Sequence, residues 1–240
     1  MKRVPPLVLP LLVVALLSGC AGQPIQRKDG SSSVRSFSVK DLAKRDVDSV
    51  VEIHQQEVLG ILKTLTLKLY KRNPAEWRKS GFDNPEQASA SLFKSTTHWH
   101  LSVKKLPPWE TRLLDTWNAE FTGDRVRALM GGLLAMHMAA FEDRTEFYLL
   151  TELDAQKFYN AARNTETTVW KLSNVRNPRG ELYLLSNGVD ANGVPNLSFE
   201  REFGKLIGIQ DTLAKIIEDK SNRAIRFGVV NAASMIFLPI

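Results

Sequence analysis

Apolar residues recur along this chain at steps of three and four, the spacing that lays side chains along one face of an α-helix. Val39, Leu42, Val47, Val50, His54, Val58, Ile61, Leu65 and Leu69 form the first such stripe. With Ser38 and Asp41 placed as a capping box, the stripe predicts one long helix from about 39 to 71, which Asn73-Pro74 ends. A second stripe, Val126, Met130, Leu133, His137 and Phe141, predicts a helix from near Thr122 to about Leu150. A third follows Asp154, with Phe158, Ala162, Thr165, Val169 and Leu172 on one face and Asn177-Pro178-Arg179-Gly180 closing it. The fourth starts after Pro195 and aligns Phe203, Leu206, Gln210, Leu213 and Ile217. Shorter helical pieces are expected around Pro85 to Lys94 and Trp109 to Trp117.

None of these stripes can bury its apolar face alone. The expected fold is therefore mainly α, a bundle-like array of about four long amphipathic helices plus shorter ones. "ALMGGLLAMHMAAF", residues 128 to 141, has no charge apart from what His137 can carry, and it reads as the central core helix. Gly131-Gly132 would let a neighbouring helix approach it closely. Gly188, Gly193 and Pro195 mark a turn-rich connection between the third and fourth helices. Asp190-Ala191-Asn192-Gly193 is not a calcium loop, because Gly188 stands at the first ligand position and Phe199 where a bidentate glutamate belongs.

Before the first stripe the pattern changes. Met1-Lys2-Arg3 is a basic start, and Val4 to Leu17 is apolar but interrupted by Pro5, Pro6 and Pro10. That combination matches the n-region and h-region of a secretory signal, and it falls short of the ~20 apolar residues a transmembrane helix needs. Leu17-Ser18-Gly19-Cys20, which contains the only cysteine of the chain, resembles the lipobox of bacterial lipoproteins. The resemblance implies diacylglyceryl transfer to the Cys20 thiol, cleavage before Cys20 and acylation of the new amino group. Ala21 follows the cysteine, where aspartate is the inner-membrane retention signal of the enteric lipoproteins. The resemblance therefore implies a lipid anchor in the outer membrane with the domain facing the periplasm. Each buried methylene of an acyl chain contributes ~0.8 kcal/mol, so two or three chains hold a protein firmly.

"AGQPIQRKDGSSSVRSF", residues 21 to 37, lacks periodicity and reads as a flexible tether, with an r.m.s. span of about 20 to 25 Å for a coil of this length. The expected organisation is a signal peptide over 1–19, the lipidated cysteine and tether over 20–37, and a single helical periplasmic domain over 38–240. Cleavage removes Lys2 and Arg3 and leaves 30 basic against 26 acidic residues, a net charge of +4. This mild excess suits an anionic surface and is no nucleic-acid footprint. With no second cysteine the domain can form no disulfide, so its core must hold it.

Candidate chemistry is sparse. His98 and His100, alternate residues of "HWH", could share a zinc or copper ion if a third ligand such as Glu110 arrived by folding. His54 and His137 sit on the apolar stripes of two helices, where they could hold a metal or haem between facing helices or serve as hydrogen-bonded core histidines. "GVVNAASMIFLPI", residues 228 to 240, is uncharged, and Met235, Ile236, Phe237 and Leu238 form a candidate docking surface. They must be covered by their own domain, by a partner or by the membrane surface.

No G-x-S-x-G, Walker loop, H-E-x-x-H or post-strand G-x-G-x-x-G occurs, and acid pairs such as Glu142/Asp143 are expected on solvated helix faces at 24% charged residues. The expectation is a non-enzymatic lipoprotein acting as adaptor or assembly partner of another envelope protein. A periplasmic metal- or haem-binding lipoprotein using its histidines is the alternative, and a cell-wall enzyme with an acidic site is a lower one. Replacing Cys20 by Ala should abolish fatty-acid labelling and leave the precursor unprocessed; a still-acylated variant would end the lipoprotein reading.

Overall fold

The computed structural model describes residues 25–26, 32–33, 46–94, 107–148, 151–189 and 193–221. The chain divides into two compact units, 1–43 and 44–240. In the first, Ile25–Gln26 (β1) pairs antiparallel with Ser32–Ser33 (β2), a short pairing within the stretch whose composition reads as tether. The rest of that stretch, and Cys20, lie outside the described residues.

The second unit is mainly helical. Its described helices are α1 (Asp46–Arg72), α2 (Pro74–Lys79), α3 (Pro85–Phe93), α4 (Trp109–Thr116), α5 (Arg125–Ala140), α6 (Ala155–Asn174) and α7 (Ser198–Ser221). Gly188–Val189 (β3) and Pro195–Asn196 (β4) form a small hairpin between α6 and α7. Four long helices were expected and four are present. α1 ends at the predicted asparagine-proline, while the predicted capping box at Ser38 and Asp41 lies outside the described residues. α2 is an addition to the sequence expectation: Pro74 at its first position stops α1 and starts a new turn, since proline lacks the N–H that a helix start does not need.

The helices run up and down in turn. Tyr70 near the end of α1 meets Asp124 at the start of α5, and Gln55 nearer its beginning bonds the Arg144 carbonyl past the end of α5, so the two are antiparallel. Lys157 in the first turn of α6 pairs with Glu142 just beyond α5, and Thr165 reaches His137, which turns α6 back along α5. Arg163 of α6 meets Asp211 of α7, and Lys68 of α1 sits 4.9 Å from the ring centroid of Phe199 at the start of α7. α7 therefore runs antiparallel to both α6 and α1, closing an up-down-up-down four-helix bundle.

One end of this bundle, here the lower end, holds the start of α1, the connection 141–154 and the end of α7. The upper end holds α2, α3, α4 and the connection 175–197.

α5 is the centre. Of its sixteen residues, eleven are buried, around all but a strip at Ala128, Ala135 and Ala139. Gly131 and Gly132 permit the close approach that the sequence predicts, and the neighbour is α4: a Cβ on Gly132 would stand 2.8 Å from the Leu113 side chain and 3.1 Å from the Trp109 carbonyl oxygen. α5 ends at Ala140, ten residues before the expected end. Asp143 N–H donates to the Met138 carbonyl (2.8 Å) and Glu142 N–H to that of Ala139 (3.0 Å), a Schellman turn with Glu142 and Asp143 at φ 55° and 54°.

Glycine normally takes this left-handed position; here the Lys157–Glu142 ion pair at 2.9 Å helps fix a residue that costs about 1 kcal/mol more. The apolar residues that extended the stripe past Ala140 serve the turn instead. Phe141 packs edge-on to Phe158 (4.9 Å) and against Phe147 (6.0 Å), and all three rings are buried.

Every residue of the fourth predicted stripe is buried on α7, including Gln210. On α6, Val169 is half-buried and the other four of its stripe are buried.

Substitution of Gly132 by Val should cost roughly 1–3 kcal/mol through overpacking. Gly131→Ala should be milder, because its added Cβ meets mainly the Arg112 guanidinium, 3.1 Å away at the end of a flexible side chain. Denaturant unfolding of the two variants checks the order; equal losses would show that α4 does not seat on Gly132.

Candidate functional site

The upper end carries the densest polar network. Asp124 caps α5, accepting from Arg127 N–H (2.8 Å), and its second oxygen accepts from both Tyr70 Oη and Ser80 Oγ (each 2.8 Å). Burial pushes its carboxyl above the usual carboxylate range and pushes the Tyr70 phenol up as well. Three hydrogen bonds hold the carboxylate where α1, α2 and α5 meet.

Arg125 is the next link. Its backbone N–H donates to Glu76 Oε2 (2.7 Å), while its guanidinium donates to the carbonyls of Asp115, Thr116, Asn118 and Phe121 at 2.7 to 3.3 Å. Its cation also lies 4.7 Å from the ring centroid of Tyr183. Four carbonyls at and after the end of α4 thus find donors that the helix itself cannot supply.

Beside Arg125 opens a cleft of about 530 Å³, lined by Glu76, Lys79, Glu120, Arg179, Glu181 and Tyr183 among others. Four of its charges pair locally. Lys79 pairs with Glu76 at 2.7 Å, and Glu181 pairs with Arg179 at 3.0 Å and accepts from the Asn177 side-chain amide. Asn177 also organises the turn below, accepting through Oδ1 from Arg179 and Glu181 N–H, with Gly180 at φ 80° where the chain reverses. Glu76 and Glu181 are engaged as hydrogen-bond acceptors that brace helix ends and a turn.

The stretch 185–197, which contains the hairpin and follows the cleft residue Tyr183 in sequence, has a different character. Asn73, just past α1, pins it: its side chain accepts from Leu185 N–H (2.8 Å) and donates to the Leu185 carbonyl (2.9 Å). Asn187 donates to Glu200. The backbone is held, yet Leu185, Val189, Val194 and Leu197 are 50 to 67% exposed. Among the described residues the remaining exposed large hydrophobics, Ile53, Leu114 and Trp170, stand on three different helices. One connection therefore holds four of the seven exposed large hydrophobic side chains among the described residues.

The histidines separate. His137 is fully buried between α6 and α7. Gln210 Nε2 can only donate, so His137 Nδ1 accepts (2.9 Å), and the ring proton sits on Nε2, which faces Thr165 Oγ1 (3.3 Å). Thr165 in turn donates to the Ala161 carbonyl. Burial lowers the His137 pKa to about 3, so the ring is neutral. His54, half-buried on α1, places Nδ1 2.7 Å from the Val50 carbonyl of its own helix. The structure does not join the two rings, since both nitrogens of His137 are directed at α6 and α7.

His98 and His100 lie outside the described residues, as do Met235, Ile236, Phe237 and Leu238. Among the described residues no three His, Cys, Asp or Glu side chains gather as a metal site would require.

Sequence reasoning missed the roles of Arg125 and of the Tyr70–Asp124 pair, and the bonds of Asn73 to Leu185. Asp124 was findable, because an aspartate directly before an apolar-periodic run is a helix-start signal. Arg125 and Asn73 were not, since their partners lie on other elements.

His137 has an ordinary pKa of 6.5 when unfolded and about 3 when folded. Its burial thus supports the fold fully above about pH 6.5, and that support is lost progressively as pH falls toward 3. Replacing His137 and Gln210 together by Leu should flatten this part of the stability–pH curve measured by denaturant unfolding. An unchanged acid slope would remove His137 as its source.

No protein-family model, no curated protein and no solved structure matches this chain.

Proposed function

We propose that this protein is an outer-membrane lipoprotein, anchored through acyl chains on Cys20, whose helical domain acts in the periplasm as a non-enzymatic adaptor for another envelope protein. The lipobox resemblance at Leu17-Ser18-Gly19-Cys20 and the Ala21 that follows support the anchor.

The observation that carries the adaptor reading is the polarity of the bundle. α1 begins at the lower end, at Asp46, whereas Leu185, Val189, Val194 and Leu197 stand at the upper end. α1 has 27 residues and is about 40 Å long, so the exposed aliphatic surface stands about that far from Asp46 at the other end of the bundle. An aliphatic surface gathered at one end of a bundle suits docking by a protein partner. The local pairing of Glu76 and Glu181 favours a bracing role for these two carboxylates over acid–base catalysis, which needs a carboxyl group ready to exchange a proton.

A photo-crosslinking side chain at Val189 or Val194 should capture a discrete envelope protein, and one at Ile53 should not. Val189→Asp with Leu197→Asp should reduce that capture at least tenfold without lowering Tm, because both side chains are exposed. Equal capture from Ile53, or capture indifferent to the aspartates, would overturn the adaptor reading.

A further inference from the structure

α3 and α4 converge on the face of α5 that carries Arg127 and Gly131, four residues or about one turn apart. From α4, Arg112 Nη1 donates to the Gly131 carbonyl (3.1 Å), the one hydrogen bond this side chain makes among the described residues. A Cβ at position 131 would stand 3.1 Å from Arg112 Nη1 and 3.5 Å from Leu92 of α3, so glycine is what lets the guanidinium lie against the α5 backbone. Beside Leu92, Ser91 gives its proton to the Ala88 carbonyl (2.7 Å) and accepts through Oγ from Arg127 Nη1 (2.9 Å). Arg127 also lies by the Tyr70 phenol. Each guanidinium is thus anchored at one Nη1, and with five N–H donors apiece both keep donors for a further acceptor.

The two cations have no counter-ion. Burial lowers the Arg112 pKa, and the charge of Arg127 lowers it further. Among the described residues no carboxylate forms an ion pair with either: Glu86 of α3 pairs with Lys71, and Asp124 is committed to Tyr70, Ser80 and the Arg127 backbone N–H. Residues 94–108, which join α3 to α4, contain Lys94, Lys104 and Lys105 and no aspartate or glutamate, so the connection brings no negative side chain either. A half-buried cation held near a second one is unfavourable in the empty protein, and a bound anion relieves both desolvation and repulsion.

The number of charges selects the anion. A carboxylate answers one guanidinium. A phosphate monoester carries about −1.5 to −2 charges at pH 7 and three acceptor oxygens, enough for two guanidinium forks.

We propose that Arg112 and Arg127, fixed on Gly131 and Ser91 where α3, α4 and α5 meet, bind a phosphate group. Soluble phosphate monoesters and monoester lipid headgroups present this same group. The site stands independently of the lipoprotein and adaptor readings, since it uses neither Cys20 nor the 185–197 surface.

The test uses the full chain in non-ionic detergent at low ionic strength, titrated calorimetrically with glycerol phosphate and, separately, with detergent micelles doped with phosphatidic acid or with phosphatidylcholine. Saturable binding of glycerol phosphate at one site per chain is expected, weakened about tenfold or more by Arg112→Gln, by Arg127→Gln and by added salt. Gly131→Ala should weaken it too, because the added Cβ shifts Arg112 from its seat. Arg127 is exposed, so Arg127→Gln should keep Tm close to that of the parent chain and remains informative even where Arg112→Gln disturbs folding.

Phosphatidic acid micelles that bind, and that glycerol phosphate displaces, would assign the group to a lipid; micelles that do not bind while glycerol phosphate does would assign it to a soluble ester. Failure of both probes to bind saturably would overturn the proposal, as would binding that both glutamine variants retain. Acetate binding as tightly as glycerol phosphate would overturn it in favour of a carboxylate ligand.

Discussion

Everything in the bundle answers to one constraint: α5 is buried around most of its circumference, leaving Arg127 exposed and a strip at Ala128, Ala135 and Ala139 half-buried. Its eleven buried positions must be covered by other helices, and α1, α4 and α6 each supply part of that cover. Each covering helix is itself amphipathic and finds in α5 the apolar surface its own stripe needs. Gly132 tightens the arrangement by letting the α4 backbone come within contact distance. The hydrophobic effect sets the preference for burial, but the alternating helix directions come from short connections, which make sequential helices antiparallel neighbours.

Burying so much of α5 also buries polar groups, and the fold deals with them by pairing across helices. His137, Gln210 and Thr165 form a neutral chain of hydrogen bonds joining α5, α6 and α7, while the Gln210 Oε1 atom is left without a partner among the described residues. Asp124, Tyr70 and Ser80 do the same for α1, α2 and α5, with the carboxylate receiving three donors. A buried polar group left alone costs more than a made hydrogen bond contributes, so such networks narrow the set of packings the helices can adopt. Register between helices is thus fixed by a few directional contacts laid over a non-directional core.

The two ends of the bundle then differ for reasons of connectivity. The lower end has one connection, 141–154, tied to α1 through Gln55 and Glu52. The upper end receives three short helices and the connection 175–197, and Arg125 and Asn73 hold these to the bundle. The charged cleft and the exposed aliphatic hairpin lie where the added segments meet. Their separation from the lower end follows from helix length.

How far the sequence alone reached can be read from particular elements. Periodicity defined the four long helices because each must bury a continuous stripe, and the α7 stripe from Phe203 to Ile217 is buried throughout. Asn73-Pro74 and Asp154 marked boundaries through local backbone chemistry, and the structure places helix ends there. The end of α5 escaped, since Glu142 and Asp143 take left-handed conformations that glycine usually signals, supported by Lys157 fifteen residues on.

In the sequence the role of His137 stays open between ligand and core residue, because an imidazole on an apolar stripe looks the same in either case. Gln210 and Thr165, distant in sequence, directed it between α6 and α7. Local rules act over one turn of helix and are written in neighbouring residues. Which polar side chains meet and which aliphatic ones stay outside depend on helices packed side by side, and that information exists only once the tertiary structure has formed.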